Sequence, residues 1–268
     1  MCFARTLAVA VLSLLVFSVL AQAQAQNKPA QFLQIQITTV KPTAATDYED
    51  FVKKLNAARD KTPGAPVVVT YAVNLGGPAF TYYALTPFEK FADREKFPNG
   101  REMLTKVYGQ AEANRLLKIE FDAITQRRSE VFNYQADQST NPKAFDPPSA
   151  YLTLQRNELV PEMNGQYANL MRKIKIAQEK ARDTRTIIRR TNAYGTGFTA
   201  IAITHHAKLS DRDQTNPNGG EALRKAFGDG EANQLQPTGD RSIRNRQTLF
   251  LNYRADLSHP KATAPSNE

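Results

Sequence analysis

The chain contains an internal duplication, in which its second half repeats its first at an offset of 119 residues. Between residues 98 and 116, 11 of 19 positions are identical to those of residues 217–235, whereas unrelated sequences of average composition match at roughly 6% of positions. The apolar helical spacing of residues 48–55 also returns at residues 167–174. Two copies of one structural unit must therefore make up the fold.

The duplication sets the predicted boundaries. The first repeat covers residues 30–138 and the second covers residues 150–257. Residues 139–149 are rich in Pro, Asn and Ser, which is typical of a linker. Residues 258–268 are polar with two prolines, and we expect a disordered tail.

Residues 1–25 resemble a secretory signal peptide. One charge, Arg5, precedes an apolar run from Leu7 to Leu20 and then an alanine-rich segment. That run is shorter than the roughly 20 residues that span a bilayer, so we expect cleavage near Ala23 or Ala25 rather than an anchor. The sequence predicts an exported protein, periplasmic or extracellular, with no membrane association after cleavage.

Each repeat has the pattern of a βαββαβ unit. In the first repeat, strands are predicted at 32–40, 67–73, 79–85 and 130–136. Helices are predicted at 46–61, starting with a capping box from Thr46 to Glu49, and at 89–96 and 102–128, with a bend at Gly109. The second repeat predicts strands at 151–157, 185–192, 198–204 and 248–255, and helices at 167–182 and 221–246. Pro237 should break the last helix, since proline removes a backbone hydrogen bond.

A βαββαβ unit forms a ferredoxin-like α+β fold, with both helices on one face of an antiparallel sheet. The face of the sheet without helices must also be buried. Two tandem copies bury it if their sheets pack against each other as a pseudo-twofold pair. We therefore predict an intrachain, pseudo-dimeric α+β barrel, which is a monomer or a weak homodimer in solution.

Two segments support a resemblance to a known superfamily. Residues 84–91, Ala-Leu-Thr-Pro-Phe-Glu-Lys-Phe, follow the third strand, and residues 252–258, Asn-Tyr-Arg-Ala-Asp-Leu-Ser, follow the last. With the duplicated unit, they make residues 30–257 resemble the dimeric α+β barrel superfamily in a fused, exported form. The resemblance implies a range of functions: cofactor-free monooxygenases, lactone isomerases, haem-dependent or haem-degrading enzymes, and binding proteins without catalysis.

Polar side chains alternate with apolar ones along the first and last strands of both repeats. If the apolar side faces the helices, the polar side lines the barrel lumen and can bind a small polar or anionic ligand. The predicted ligand-binding residues are Gln34, Gln36, Asn133, Thr153, Gln155, Asn157, Asn252 and Arg254. Alternatively, these groups satisfy one another and the barrel is purely structural.

His205 and His206 are the candidate catalytic residues, because the first repeat has Pro87 and Phe88 in their place. A histidine can act as a general base or bind a haem iron, which keeps open an enzyme that is a cofactor-free monooxygenase, an isomerase or a haem-dependent protein. Neighbouring residues of a strand point in opposite directions, so one pocket can use only one of them.

We predict no metal site and assign no cofactor. The net charge of +9 suits anionic ligands, but no nucleic-acid recognition motif accompanies it.

Overall fold

The computed structural model describes residues 28–144, 148–195, 197–213 and 219–259. The first repeat contains β1 (Phe32–Val40), α1 (Ala45–Asp60), β2 (Val69–Leu75), β3 (Thr81–Phe88), α2 (Phe91–Glu95), α3 (Gly100–Tyr108), α4 (Gln110–Ala123) and β4 (Ile124–Tyr134). The second contains β5 (Tyr151–Leu159), α5 (Asn164–Lys180), β6 (Ile187–Tyr194), β7 (Thr199–His206), α6 (Gly219–Ser242) and β8 (Ile243–Tyr253). The signal peptide predicted at residues 1–25 lies outside the described residues.

The eight strands form one closed antiparallel barrel in the order β1-β3-β2-β8-β5-β7-β6-β4. Each repeat supplies four adjacent strands, and the repeats join where β2 pairs with β8 and where β4 pairs with β6. This topology confirms the fused, two-repeat α+β barrel. No helix among the described residues combines the length and hydropathy needed to cross a membrane.

The prediction of which sheet face lines the lumen is wrong. One hydrophobic core takes side chains from all eight strands and from no helix, so it fills the barrel interior. It includes Leu33, Ile35 and Ile37, which we expected beneath the helices. An eight-stranded barrel is just wide enough for side chains to fill it, and apolar side chains fill such an enclosed space without needing hydrogen-bond partners. The polar face of each strand therefore points outward, toward the helix layers.

Helix boundaries differ from prediction at the entry to the last strand of each repeat. The predicted ends at Arg128 and Arg246 are wrong, because α4 ends at Ala123 and α6 ends at Ser242. The next residues already pair with the first strand of their repeat, as in Ile37 opposite Arg128. Long-range strand pairing thus overrides a local helical pattern.

The predicted break at Pro237 is also wrong, because α6 continues through it. The non-helical residue is Gly228, with φ 81°, which matches Gly109 in the first repeat, also with φ 81°. The bend predicted at Gly109 is confirmed. Beyond Gly228, Ala232 and Leu235 pack with α5, which keeps the proline-containing segment helical.

The predicted capping box is not formed. A 3-10 turn, Pro42–Ala44, leads into α1, which has no side-chain cap. Glu49 instead accepts a hydrogen bond from the hydroxyl of Tyr82 at 2.7 Å.

Both repeats extend slightly beyond their predicted ends. The backbone N–H of Thr70 donates to Ser258 Oγ and that of Arg189 donates to Ser139 Oγ, each at 2.9 Å. His259 is buried and pairs with Val68 in an isolated bridge. Ser139 is therefore not linker and Ser258 and His259 are not disordered tail, while residues 260–268 lie outside the described residues.

Candidate functional site

The barrel lumen, where we expected a ligand, is packed. Its core leaves a cavity of about 10 Å³ beside Glu130 and Arg156, and one water molecule needs about 10–15 Å³. Arg156 donates to both Glu130 carboxylate oxygens, at 2.5 and 2.8 Å, and to Thr199 Oγ1 at 3.3 Å. In the described part of the barrel, the lumen therefore holds a buried ion pair beside a cavity too small for a ligand.

The predicted ligand-binding residues on β1, β4, β5 and β8 lie on the outer face of the barrel, opposite the core-facing positions. Most of them bond to their neighbours. The contacts are Gln34 to Ser129 at 2.8 Å, Thr153 to His206 at 2.9 Å, Gln155 to Asn157 at 3.1 Å, Asn157 to Tyr167 at 2.9 Å and Asn74 to Asn252 at 3.2 Å. Asn133 pairs with Phe32 on the same outer face. Of the set, only Gln36 lines a described cavity.

Arg254 joins the two repeats. Its guanidinium donates to both oxygens of Glu49 on α1, at 2.6 and 2.8 Å, and to Asp256 at 2.9 Å. These hydrogen bonds from Arg254 hold the pKa of Glu49 below its ordinary value. Because two carboxylates already occupy this guanidinium, its role is a clasp between repeats rather than the predicted ligand contact.

A cavity of about 50 Å³ lies between the sheet and the helices of the first repeat. Its sheet side is formed by Gln36, Thr38, Val68, Thr70, Tyr82 and Ala84. Its helix side is formed by Tyr48, Phe51, Val52, Leu55, Arg59 and Glu120. Leu257 of the second repeat closes it, positioned by the hydrogen bond from Thr70 Oγ1 to the Leu257 carbonyl at 2.8 Å. The volume holds several waters or a small ligand.

Arg59 is the chemically distinctive group of this cavity. One terminal N–H donates to Asn56 Oδ1 at 2.5 Å. Its Nε and the Nδ2 of Asn56 are buried and have no hydrogen-bond acceptor among the described residues. Burial lowers the pKa of Arg59 to about 10, so it stays charged at neutral pH. Buried donors without acceptors are uncommon in folded proteins and call for a bound partner.

The carboxylate of the cavity wall is paired. Burial raises the pKa of the Tyr48 hydroxyl, against the opposing effect of the nearby Thr38 and Arg127. Arg127 also donates to Glu120 at 2.5 Å, which neutralises that carboxylate. The charge of Arg59 is therefore the one left to attract a ligand in this cavity.

The second repeat has its helix–sheet arginine at a different position. At the offset of 119, Arg59 corresponds to Gln178 and Thr70 corresponds to Arg189. Arg189 is buried against α5, and it donates to the Gln138 carbonyl at 2.5 Å and to Gln178 Oε1 at 3.5 Å. Arg59 of the first repeat thus keeps one buried N–H without an acceptor among the described residues, whereas Arg189 of the second repeat donates to both Gln138 and Gln178. Sequence reasoning missed Arg59, although this exchange between repeats was visible in the alignment of the two halves.

Neither candidate histidine reaches the cavity. His205 points to the lumen side, where its Nδ1 hydrogen-bonds with Ser149 Oγ at 2.9 Å, and burial lowers its pKa to about 3. His206 lies on the outer face beside Thr153, with its ring centroid 6.1 Å from that of Phe250. The opposite directions agree with strand geometry.

The histidines do not fit a haem. His205 is enclosed by lumen packing and His206 lies on the outer sheet face. A cofactor-sized pocket needs about 300–1,000 Å³, and the described cavity of that size, about 340 Å³ beside Asn164 and Phe198, is lined by neither histidine. Among the described residues, no group of three His, Cys, Asp or Glu side chains could hold a metal ion.

Known structures share this architecture. An anthrone oxidase-like protein matches with a TM-score of 0.53 and 12% identity, over 90% of this chain and 97% of that one. A mutant chlorite dismutase from Candidatus Nitrospira defluvii matches with a TM-score of 0.51 and 11% identity, over 85% and 93% respectively. No protein-family model and no curated protein sequence matches the chain.

The closed barrel and these structural neighbours define the class: the chain has the dimeric α+β barrel fold. It is a fused form, in which two ferredoxin-like repeats of one chain take the places of two subunits. At these identities the likeness establishes the fold and leaves the activity open.

Proposed function

We propose that the protein binds a small polar or anionic molecule in the helix–sheet cavity of the first repeat. The observation that carries the proposal is the half-buried Arg59, whose buried Nε lacks an acceptor among the described residues while its side chain lines the cavity. An unsatisfied buried donor costs about 1–3 kcal/mol, and more when it is charged. A ligand oxygen beside Arg59 removes that cost. The lumen plays no part in this binding.

Binding without catalysis accounts for the site better than the enzyme hypothesis. That hypothesis relied on His205 or His206, and both lie outside the cavity, hydrogen-bonded to Ser149 and Thr153. One neighbour is described as anthrone oxidase-like, so turnover of a bound compound, followed by mass spectrometry, is the direct check of the alternative.

The proposal includes export and a monomeric state. The leader at residues 1–25 supports export, and N-terminal sequencing of the secreted protein should begin near residue 24 or 26; an intact Met1 to Leu20 would contradict it. The barrel that two subunits commonly share is completed within one chain, which supports a monomer or a weak homodimer.

A thermal-shift screen with small anions tests the binding proposal. Ligand at 100 times its Kd stabilises the folded chain by about 2.7 kcal/mol, which raises Tm by several degrees for a chain of this size. We expect Arg59→Gln to abolish this rise. Arg189→Gln, which removes the buried arginine of the other repeat, should retain it above its own baseline. A rise that survives Arg59→Gln would contradict the proposal.

A further inference from the structure

We infer that the ligand is a short monocarboxylate, held by its carboxylate at Arg59 with its hydrocarbon part against the apolar wall. This deepens the proposed function and depends on it.

The first step concerns the donors. Arg59 lines the cavity, and its Nε is buried without an acceptor among the described residues. Asn56, which accepts one hydrogen bond from Arg59 at 2.5 Å, is not one of the lining residues. A guanidinium only donates hydrogen bonds. A ligand must therefore present acceptors, and a carboxylate presents two oxygens in the planar arrangement that suits a guanidinium.

The second step concerns charge. Glu120 lies on the cavity wall and is paired with Arg127, which leaves one positive charge, that of Arg59, to be balanced. A monoanion balances it. A phosphate dianion would bring a second charge into a buried site without a partner, which is costly.

The third step concerns the rest of the wall. Phe51, Leu55, Val68 and Leu257 line the same cavity. These side chains offer nothing to a purely polar anion such as nitrate, and they favour each methylene that leaves water. The volume of about 50 Å³ limits the ligand to a compact acid.

Isothermal titration calorimetry of the mature chain against formate, acetate, propionate and butyrate tests the inference, with acetamide, nitrate and inorganic phosphate as comparisons. We expect affinity to rise about fourfold per added methylene, from the burial value of about 0.8 kcal/mol, until the cavity is full. Acetamide, nitrate and phosphate should each bind at least tenfold more weakly than propionate.

Two variants locate the contacts. Arg59→Lys keeps the charge but loses the planar donor pair, so propionate affinity should fall about tenfold or more while the unfolding transition remains. Ala84→Leu fills the cavity from the sheet side without touching the guanidinium, so it should weaken butyrate more than formate. Arg189→Gln serves as the matched control and should leave the affinities unchanged.

The outcomes separate the two proposals. If acetamide, nitrate or phosphate binds as tightly as propionate and Arg59→Gln removes that binding, the carboxylate inference is overturned and the proposed function stands. If none of the seven probes binds, the carboxylate inference fails, and a thermal-shift screen without any response then removes the proposed function too. If Arg189→Gln abolishes binding and Arg59→Lys does not, the site is in the other repeat and both fail.

Discussion

At the scale of single residues, the unusual group of the core is the ion pair in the barrel lumen. Glu130 and Arg156 expose only 4% and 10% of their side chains. At the offset of 119, Arg156 corresponds to Ile37, and Glu130 corresponds to Leu249. The pseudosymmetric positions, Ile37 of the first repeat and Leu249 of the second, are thus apolar, which shows what could replace the pair.

We expect Arg156→Ile or Glu130→Leu alone to destabilise the fold by about 3–5 kcal/mol, because each leaves one buried charge without its partner. The double variant should recover most of that loss, since it creates an apolar pair like that of Ile37 and Leu249 at the pseudosymmetric positions. Urea unfolding measures all three. A double variant as unstable as the sum of the single ones would contradict this interpretation.

The buried His205 should make the stability of the folded chain depend on pH. Burial lowers its pKa in the folded chain to about 3, while an unfolded histidine titrates near pH 6.5. Between these values the unfolded chain binds a proton that the folded chain does not. The stability contribution is therefore complete above about pH 6.5 and is lost as the pH falls toward 3, with a slope of at most about 1.4 kcal/mol per pH unit.

His205→Gln should flatten this slope, as measured by urea unfolding at several pH values. His206→Gln is the comparison variant, because burial also lowers the pKa of His206, which lies on the outer face of the same strand. Equal slopes in wild type and His205→Gln would show that other groups cause the acid sensitivity.

At the scale of elements, the order and approximate position of strands and helices could be predicted from the sequence, but the direction of each face could not. Alternation of Ile35 and Gln36 shows that one side of β1 is apolar; it does not show whether helices or other strands cover that side. Closure of eight strands decides this, and closure depends on residues more than 100 positions apart. Arg59 was missed for the same reason: within α1 it resembles any charged residue of a helix.

The proline in the interior of α6 should lower the stability of the chain. Pro237 lies inside the helix, where the first repeat has Lys118. Proline costs up to about 3 kcal/mol in a helix interior relative to a good helix former. We expect Pro237→Lys to stabilise the chain by about 1–3 kcal/mol in urea unfolding. A destabilised variant would mean that the chain bends at this position in a way that needs proline.

At the scale of the whole molecule, the repeats hold each other through pseudosymmetric contacts. The hydroxyl of Tyr71 donates to the Ser149 carbonyl at 3.0 Å, and Arg190 donates to the Ala30 carbonyl at 2.9 Å. At the offset of 119, the donor Tyr71 corresponds to Arg190, and the acceptor Ala30 corresponds to Ser149. Each repeat thus anchors the chain that enters the first strand of the other, and Leu257 of one repeat closes the cavity of the other.

The Arg254 clasp can be tested by Arg254→Gln. We expect a loss of about 1.5–3 kcal/mol, the value of hydrogen bonds to charged groups. Arg172→Gln is the matched control, because its pair with Asp137 also joins the repeats but both side chains are about half exposed. That variant should lose at most about 1 kcal/mol. Equal losses would indicate that the clasp contributes no more than a surface ion pair.

The low pKa of Glu49 adds a pH dependence to the same clasp. Its hydrogen bonds from Arg254 lower the folded-state value. The clasp therefore contributes fully above the ordinary carboxyl pKa and weakens as the pH falls through the lowered value. Urea unfolding should show that Arg254→Gln costs less at acidic than at neutral pH, and an unchanged cost would contradict the assignment.

The site itself is tested most directly by anomalous diffraction from crystals grown with 3-bromopropionate. We predict a bromine peak between the sheet and α1, with the carboxylate at Arg59, and no such peak in crystals of Arg59→Gln. Bromine in the barrel lumen or in the helix–sheet layer of the second repeat, or an equal peak in Arg59→Gln, would contradict the assignment of this cavity.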